Sequence, residues 1–99
     1  MDTQPSLLNF GWVRVEQSPQ MVVRVVNKAN RPIRLRLVTK PSFLEVIPSH
    51  LKGIAPTFKV RLRLNEVNAH RQVLSGKLVF QTNLSLQPFL EVPFFAALE

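Results

Sequence analysis

The stretch FKVRLRL, residues Phe58–Leu64, alternates apolar and cationic residues without interruption. On an extended strand, successive side chains point to opposite faces, so this segment would have one apolar face and one basic face. On a helix, the same residues would be scattered around the axis. The alternation therefore predicts a β-strand whose apolar face packs in a core. It also raises the question whether the basic face only meets water or holds an anion.

The same alternation recurs in the segments PIRLRLV, QMVVRVVN and KLVFQT. β-branched and aromatic residues are concentrated there, as is typical of strands, and no segment has a helical stripe of period 3.6. Seven strands are predicted, at residues 8–15, 20–27, 32–39, 43–47, 57–64, 75–82 and 88–97. Short alternating strands at such regular spacing predict an all-β, seven-stranded immunoglobulin-like β-sandwich of two antiparallel sheets.

The last predicted strand contains Pro93, which cannot donate a ladder hydrogen bond and so indicates an edge position or a bulge. Phe94 and Phe95 follow it and cannot both face the core of a regular strand. A bulge at Pro93 would bury both rings. Otherwise one ring is exposed beside a sheet edge, where it would suit contact with a neighbouring domain.

The length of 99 residues suits a single domain, and 45% apolar residues provide the material for its core. We expect a flexible N-terminal tail at residues 1–7, the domain at residues 8–97, and residues 98–99 outside it. The longest apolar run, VPFFAAL, is much shorter than the roughly 20 residues of a membrane helix, so no transmembrane segment is expected. The sequence leaves the cellular compartment open.

Several motifs occur in an order that resembles a known family. They are FGWV, VVNKANRPIRL, FLEVIP, FKVRLRL and GKLVFQTN. Together they resemble the Hydin-like (ASH-type) immunoglobulin-like domains and related bacterial domains, which are similar to the major sperm protein and pilus-chaperone sandwiches. The resemblance covers nearly the whole chain, about residues 8–97. It implies a non-catalytic module of a larger protein, in which Gly11 lets the first strand pass between the sheets.

Groups that could carry catalysis are few and dispersed. Asp2 is the only aspartate, and His50 and His70 lie in different predicted loops with no carboxylate at a ligand-like spacing. No serine lies in a nucleophile elbow, and the absence of cysteine removes thiolate sites. We therefore predict that the protein is not an enzyme and has no catalytic, cofactor-binding or metal-binding residues and no small-molecule substrate.

Thirteen Lys and Arg against six acidic residues give a net charge of +7, which favours anionic partners. If the first, second and fifth predicted strands share a sheet, its outer face carries five candidate contact residues: Arg14, Arg24, Lys59, Arg61 and Arg63. The other sheet would carry Arg34, Arg36 and Lys77, balanced by Glu91.

Like charges directly opposite on adjacent strands are unfavourable, so Arg24 facing Lys59 or Arg61 would be destabilising without a partner. An anionic partner would offset this repulsion, and it could be an acidic protein, a nucleic acid or a polyanionic glycan. Cations are also ordinary on solvated strand faces, where their stems cover apolar neighbours. Proteins that bind single-stranded nucleic acids stack the bases on aromatic side chains, and the predicted basic face contains none.

Trp12 points outward if Phe10 and Val13 both point inward, and an exposed tryptophan often anchors an interface. The alternative is that Trp12 packs under the tail or against the last strand. Trp12 and Phe95 are the candidate apolar contacts. We expect a protein-interaction or structural spacer module whose partner is another protein or a neighbouring domain. The alternative is the binding of an anionic polymer through the basic face.

Overall fold

The computed structural model describes residues 1–14, 17–28, 31–63 and 72–98. Within these ranges the chain forms β-strands and no helix, so the all-β prediction is confirmed. Nine strands are described: β1 (Asp2–Gln4), β2 (Leu8–Val13), β3 (Gln20–Val26), β4 (Ile33–Thr39), β5 (Leu44–Ile47), β6 (His50–Gly53), β7 (Thr57–Leu62), β8 (Gln72–Thr82) and β9 (Phe89–Leu98).

The strands form two sheets that share one hydrophobic core, which makes the fold a β-sandwich. The four-stranded sheet has the order β1-β3-β7-β5, and the five-stranded sheet has the order β2-β9-β8-β4-β6. All described pairs are antiparallel except β2 with β9, which is parallel. The prediction of two antiparallel sheets is therefore wrong for the five-stranded sheet, which is mixed.

Each of the seven predicted strands is present, and β1 and β6 make the total nine rather than seven. β1 (DTQ) contains no apolar residue and β6 (HLKG) contains one, so no apolar alternation reveals either strand. Every connection from β1 to β8 crosses from one sheet to the other, and two of these crossings contain a cis proline: Pro5 between β1 and β2, and Pro48 between β5 and β6. The sequence predicted β5 but did not indicate that a second short strand, β6, follows it and lies in the other sheet.

The ends of the domain differ from the expectation. The segment expected to be an N-terminal tail contains β1, which pairs with β3 and buries Thr3. Leu98, expected outside the domain, is the last residue of β9 and is buried. The predicted loop that contains His70 lies within residues 64–71, which are outside the described residues.

Gly11 does not carry the chain between the sheets, because both ends of β2 lie in the same sheet. Its φ of 66° instead accompanies a bulge, where the register with β9 shifts between Asn9 and Gly11. The backbone N–H of Gly11 donates to Asn9 Oδ1 at 2.9 Å. The bulge leaves Trp12 outside and Val13 inside the core.

The alternation that predicted β7 corresponds to its burial pattern, in which every second side chain is buried. Phe58 on β7 meets Phe80 on β8 across the sandwich, with ring centroids 4.9 Å apart and planes inclined by 52°. Both rings are almost fully buried. This pair links the central strand of one sheet to the central strand of the other.

We expect Phe80→Ala to lower the free energy of unfolding by about 3–5 kcal/mol, because it leaves a cavity between the sheets. Urea denaturation monitored by circular dichroism measures this change. Phe89→Ala, at an exposed position of β9, is the matched control and should cost less than about 1 kcal/mol. Equal losses for the two variants would contradict the role given to the Phe80 contact.

Gly11→Ala should destabilise the protein by about 1–2 kcal/mol, since the positive φ is unfavourable for a residue with a Cβ. A Cβ at this position would have no heavy atom within 4 Å, so the cost is conformational rather than steric. Gly11→Asn should cost less than Gly11→Ala, because asparagine tolerates this backbone region better. Thermal unfolding of the three proteins checks this order, which a purely steric effect would reverse.

Candidate functional site

The outer face of the four-stranded sheet carries three of the predicted cations. Arg24, Lys59 and Arg61 are all exposed there. In the register of β3 with β7, Arg24 lies opposite Thr57 and Lys59 lies opposite Val22. No two of these cations directly face each other, so the predicted cost of like charges does not arise on this sheet.

The other two predicted members of this face are placed differently. Arg14 follows β2 and therefore belongs to the five-stranded sheet. Arg63 follows β7, and its Nη1 lies 2.9 Å from Glu45 Oε2 in a surface ion pair. Glu45 is also the register partner of Arg61. A carboxylate therefore already lies beside the two C-terminal cations of the face.

The like-charge juxtaposition occurs instead on the outer face of the five-stranded sheet. Arg34 on β4 lies opposite Lys52 on β6, and Arg36 lies opposite His50. All four side chains are exposed. We call these four residues the cationic edge, because β6 is the last strand of its sheet.

Glu91, the carboxylate expected to balance Arg34, Arg36 and Lys77, pairs with the lysine. Glu91 Oε1 accepts from Lys77 Nζ at 2.9 Å. Arg36 Nη2 donates instead to the amide oxygen of Gln81 at 2.6 Å. Of the three described carboxylates, Glu45 and Glu91 thus pair with other cations, and Asp2 lies on β1 of the opposite sheet.

A groove of about 450 Å³ lies along the cationic edge. It is lined by Arg34, Leu35, Arg36, His50, Leu51, Lys52, Gln81, Thr82 and Asn83. A second hollow shares Arg34, Lys52 and Asn83 with it and extends toward Arg31 and Gly53. No carboxylate lines either of the two. Sequence reasoning missed Lys52, because HLKG alone does not show a strand.

The opposite end of the same outer face is apolar. Trp12, Val73 and Phe95 form what we call the apolar end, with exposed fractions of 68%, 62% and 36%. In the register, Ala97 lies between Trp12 on β2 and Val73 on β8. Ala97 is only 5% exposed yet does not belong to the core cluster, as expected for a small residue between two large neighbours.

The structure decides between the alternatives left open for Trp12 and for the two phenylalanines. Trp12 points outward while Val13 is buried, so Trp12 is not covered by the N-terminal segment, and its neighbour on the last strand is Ala97. Phe94 is buried and contacts Phe43 edge-to-face, whereas Phe95 points outward. The register of β8 with β9 is regular through Pro93, so no bulge buries both rings.

The described residues contain no group of three His, Asp or Glu side chains that could together hold a metal ion. His50 Nδ1 lies 3.2 Å from Ser49 Oγ. Across the described ranges, no helix is long and apolar enough to cross a membrane. The candidate contact surfaces of the five-stranded sheet are therefore the cationic edge and the apolar end.

No family model and no curated protein matches this sequence. A protein of unknown function from Porphyromonas gingivalis has a similar crystal structure, with a TM-score of 0.79 and 16% identity over 98% of this chain and 46% of that chain. A Bacteroides ovatus GH5 xyloglucanase, solved with a XXXG heptasaccharide, has a TM-score of 0.56 and 12% identity over 97% of this chain and 18% of that chain. The chain spans less than half of either protein, and such low identities show the fold alone.

The like-charge pair at the cationic edge has a measurable consequence. Arg34→Glu should raise the free energy of unfolding by about 0.5 kcal/mol at low salt, because it places opposite charges at facing positions. High salt should reduce the gain. Arg24→Glu is the control, since Arg24 faces Thr57, and it should gain less. Equal gains at both positions, measured by urea denaturation, would mean that only net charge matters.

Proposed function

We propose that this chain is a non-catalytic, immunoglobulin-like β-sandwich of the Hydin-like kind that serves as a protein-interaction or spacer module within a larger protein. The order β1-β3-β7-β5 corresponds to the A-B-E-D sheet of immunoglobulin sandwiches, and β9-β8-β4 corresponds to G-F-C. The additional strand β6 follows β5 in sequence but joins β4 in space. This order supports the assignment, as does the resemblance of the sequence motifs.

The similar structures support a place within a larger protein. In both, the region that resembles this chain is a minor part of the polypeptide, 46% in one and 18% in the other. Modules of this kind contact neighbouring domains through surfaces that are apolar at the centre and polar at the rim. The similarity to these two proteins assigns no activity to this chain.

The observation that carries the proposal is the exposure of Trp12 beside Val73 and Phe95 on one outer face. Clusters of large apolar side chains mark interaction surfaces more often than isolated exposed ones do. Tryptophan is enriched among the residues that contribute most to binding. The partner is another protein or a neighbouring domain, and the apolar end is the surface that it covers.

Hydroxyl-radical footprinting tests this proposal directly. The chain is compared alone and within its native polypeptide or native complex. Trp12 and Phe95 should become protected from oxidation, whereas Phe89 near the opposite end of β9 should react equally in both. Unchanged oxidation of Trp12 and Phe95 would rule out an interface at the apolar end.

Trp12→Ala should leave the free energy of unfolding within about 0.5 kcal/mol of the parent, because the side chain is mostly exposed. The same variant should weaken association with the partner by at least about tenfold, the loss expected of an interface anchor. Once footprinting has shown that Trp12 is protected in the native complex, calorimetric titration with the partner measures the change. Phe89→Ala is the control, and an equal loss for both variants would contradict the proposal.

The second candidate is the binding of an anionic polymer through the four-stranded sheet. It is favoured by the common outer face of Arg24, Lys59 and Arg61 and weakened by the carboxylate of Glu45 beside Arg61 and Arg63. Titration with a short DNA duplex and with heparin, at low and near-physiological salt, tests it by NMR. Saturable shifts at these cations that persist at the higher salt would support it, and diffuse shifts that vanish would not.

A further inference from the structure

The direction of the backbone hydrogen bonds shows which groups of β6 face the open edge of the sheet. Leu37 N–H donates to the carbonyl oxygen of Ser49 at 2.9 Å, so these two residues form a hydrogen-bonded pair. Hydrogen-bonded pairs alternate with non-bonded pairs along an antiparallel ladder. The next bonded pair of the register therefore contains Leu51, and the N–H and C=O of His50 and Lys52 point away from β4.

A second hydrogen bond confirms this alternation from the other side of β4. The backbone N–H of Arg34 donates to Asn83 Oδ1 at 3.0 Å, and Asn83 directly follows β8. Even-numbered residues of β4 thus direct their backbone groups toward β8, and odd-numbered residues direct theirs toward β6. The residues opposite the even-numbered ones, His50 and Lys52, then have their backbone donors and acceptors on the outer edge.

The side chains of these same two residues belong to the cationic edge, and the groove beside them contains further donors. The amide oxygen of Gln81 accepts from Arg36, and that of Asn83 accepts from the Arg34 backbone. The acceptor atoms of both amides are thus engaged, which leaves their NH₂ groups as donors. Together with the guanidinium and ammonium groups, these donors suit a ligand that brings acceptors, such as carboxylates.

We propose that β6 binds an extended acidic segment of another protein by strand addition. The backbone of the segment pairs with the outward N–H and C=O groups of His50 and Lys52. Asp or Glu at every second position of the segment lies opposite these two residues. Alternate side chains of a strand are about 6.7 Å apart and share a face, which matches the spacing between the two rows of the cationic edge.

Binding of an acidic strand is favourable because Arg34 and Lys52 lie opposite each other and no carboxylate lines the groove beside them. An added strand with a carboxylate opposite Lys52 gives this lysine an opposite charge on its outer side, which offsets the repulsion from Arg34. Exposed lysine on an edge strand also protects a sheet against pairing with its own copies. The same cations that repel a second β6 select an acidic strand, so protection and specificity have one cause.

A nucleic acid is less suited to this edge than an acidic peptide. A phosphate chain satisfies the cations but cannot form the ladder of hydrogen bonds that the backbone of His50 and Lys52 offers. Proteins that bind single-stranded nucleic acids also rely on several aromatic stacking platforms, and the residues lining the groove include no Phe, Tyr or Trp. The peptide is the partner that uses both the charges and the edge.

The test is an NMR titration of the ¹⁵N-labelled chain with an acetylated, amidated heptapeptide of alternating glutamate and threonine, at near-physiological salt. Binding should be saturable and should slow amide hydrogen exchange at His50 and Lys52. The amide of Leu51, already directed at β4, should change much less. This contrast between neighbouring amides is specific to strand addition, because a purely electrostatic contact affects the residues without regard to backbone direction.

Two substitutions at one position separate backbone pairing from charge. Lys52→Gln removes the cation but keeps the N–H and should weaken binding several-fold. Lys52→Pro also removes the outward N–H, at an edge position where proline is tolerated, and should weaken binding more than tenfold. Lys59→Gln, on the opposite sheet, and Trp12→Ala should both bind as the parent does. The Trp12→Ala result keeps this test independent of the proposed apolar interface.

Three results would overturn the inference. One is equal affinity for a peptide of the same composition with its glutamates contiguous, because only the alternating peptide presents carboxylates on one face. Another is tighter binding of heparin or a single-stranded oligonucleotide at the same residues, which would assign the edge to polyanions. The third is unchanged amide exchange at His50 and Lys52 in the parent chain, a readout that remains decisive if Lys52→Pro does not fold.

Discussion

The contact between Phe58 and Phe80 is the constraint on which the rest of the sandwich depends. It joins the central regions of the two sheets, so every neighbouring strand must direct one row of apolar side chains toward it. A strand that meets this requirement necessarily presents its other row to solvent. The basic residues of β7 and β4 are therefore outside because their apolar neighbours are inside, and the charge of the two outer faces is a consequence of how the core is built.

Sheet pairing then decides which of these outward residues meet. On the four-stranded sheet the register separates the cations and brings Glu45 beside Arg61. On the five-stranded sheet it places Arg34 opposite Lys52 and leaves Glu91 with Lys77. One outer face thus has an apolar end around Trp12 and a cationic edge along β6. These two regions lie on opposite margins of the same sheet, so the two proposed contacts, with a neighbouring domain and with an acidic segment, use separate surfaces.

The sequence predicted the seven principal strands because each contains at least two apolar residues at alternate positions. It also predicted that Trp12 would point outward if its flanking residues pointed inward, which follows from the geometry around Gly11. It did not reveal β1 and β6, whose three and four residues carry no readable period. The missing β6 had a direct consequence, since Lys52 and His50 were not recognised as partners of Arg34 and Arg36. The site with the clearest like-charge row therefore remained hidden.

What the sequence determined by itself is the local part of the structure: which segments are strands, and which side chains of each strand share a face. Those properties depend only on residues close together in the chain. The tertiary structure alone decided that β2 runs parallel to β9 rather than beside β3, and that β6 forms the edge next to β4. Strand neighbours are chosen by burial and hydrogen bonding between segments far apart in the chain. For that reason the individual cations could be predicted, but the surfaces that they form together could not.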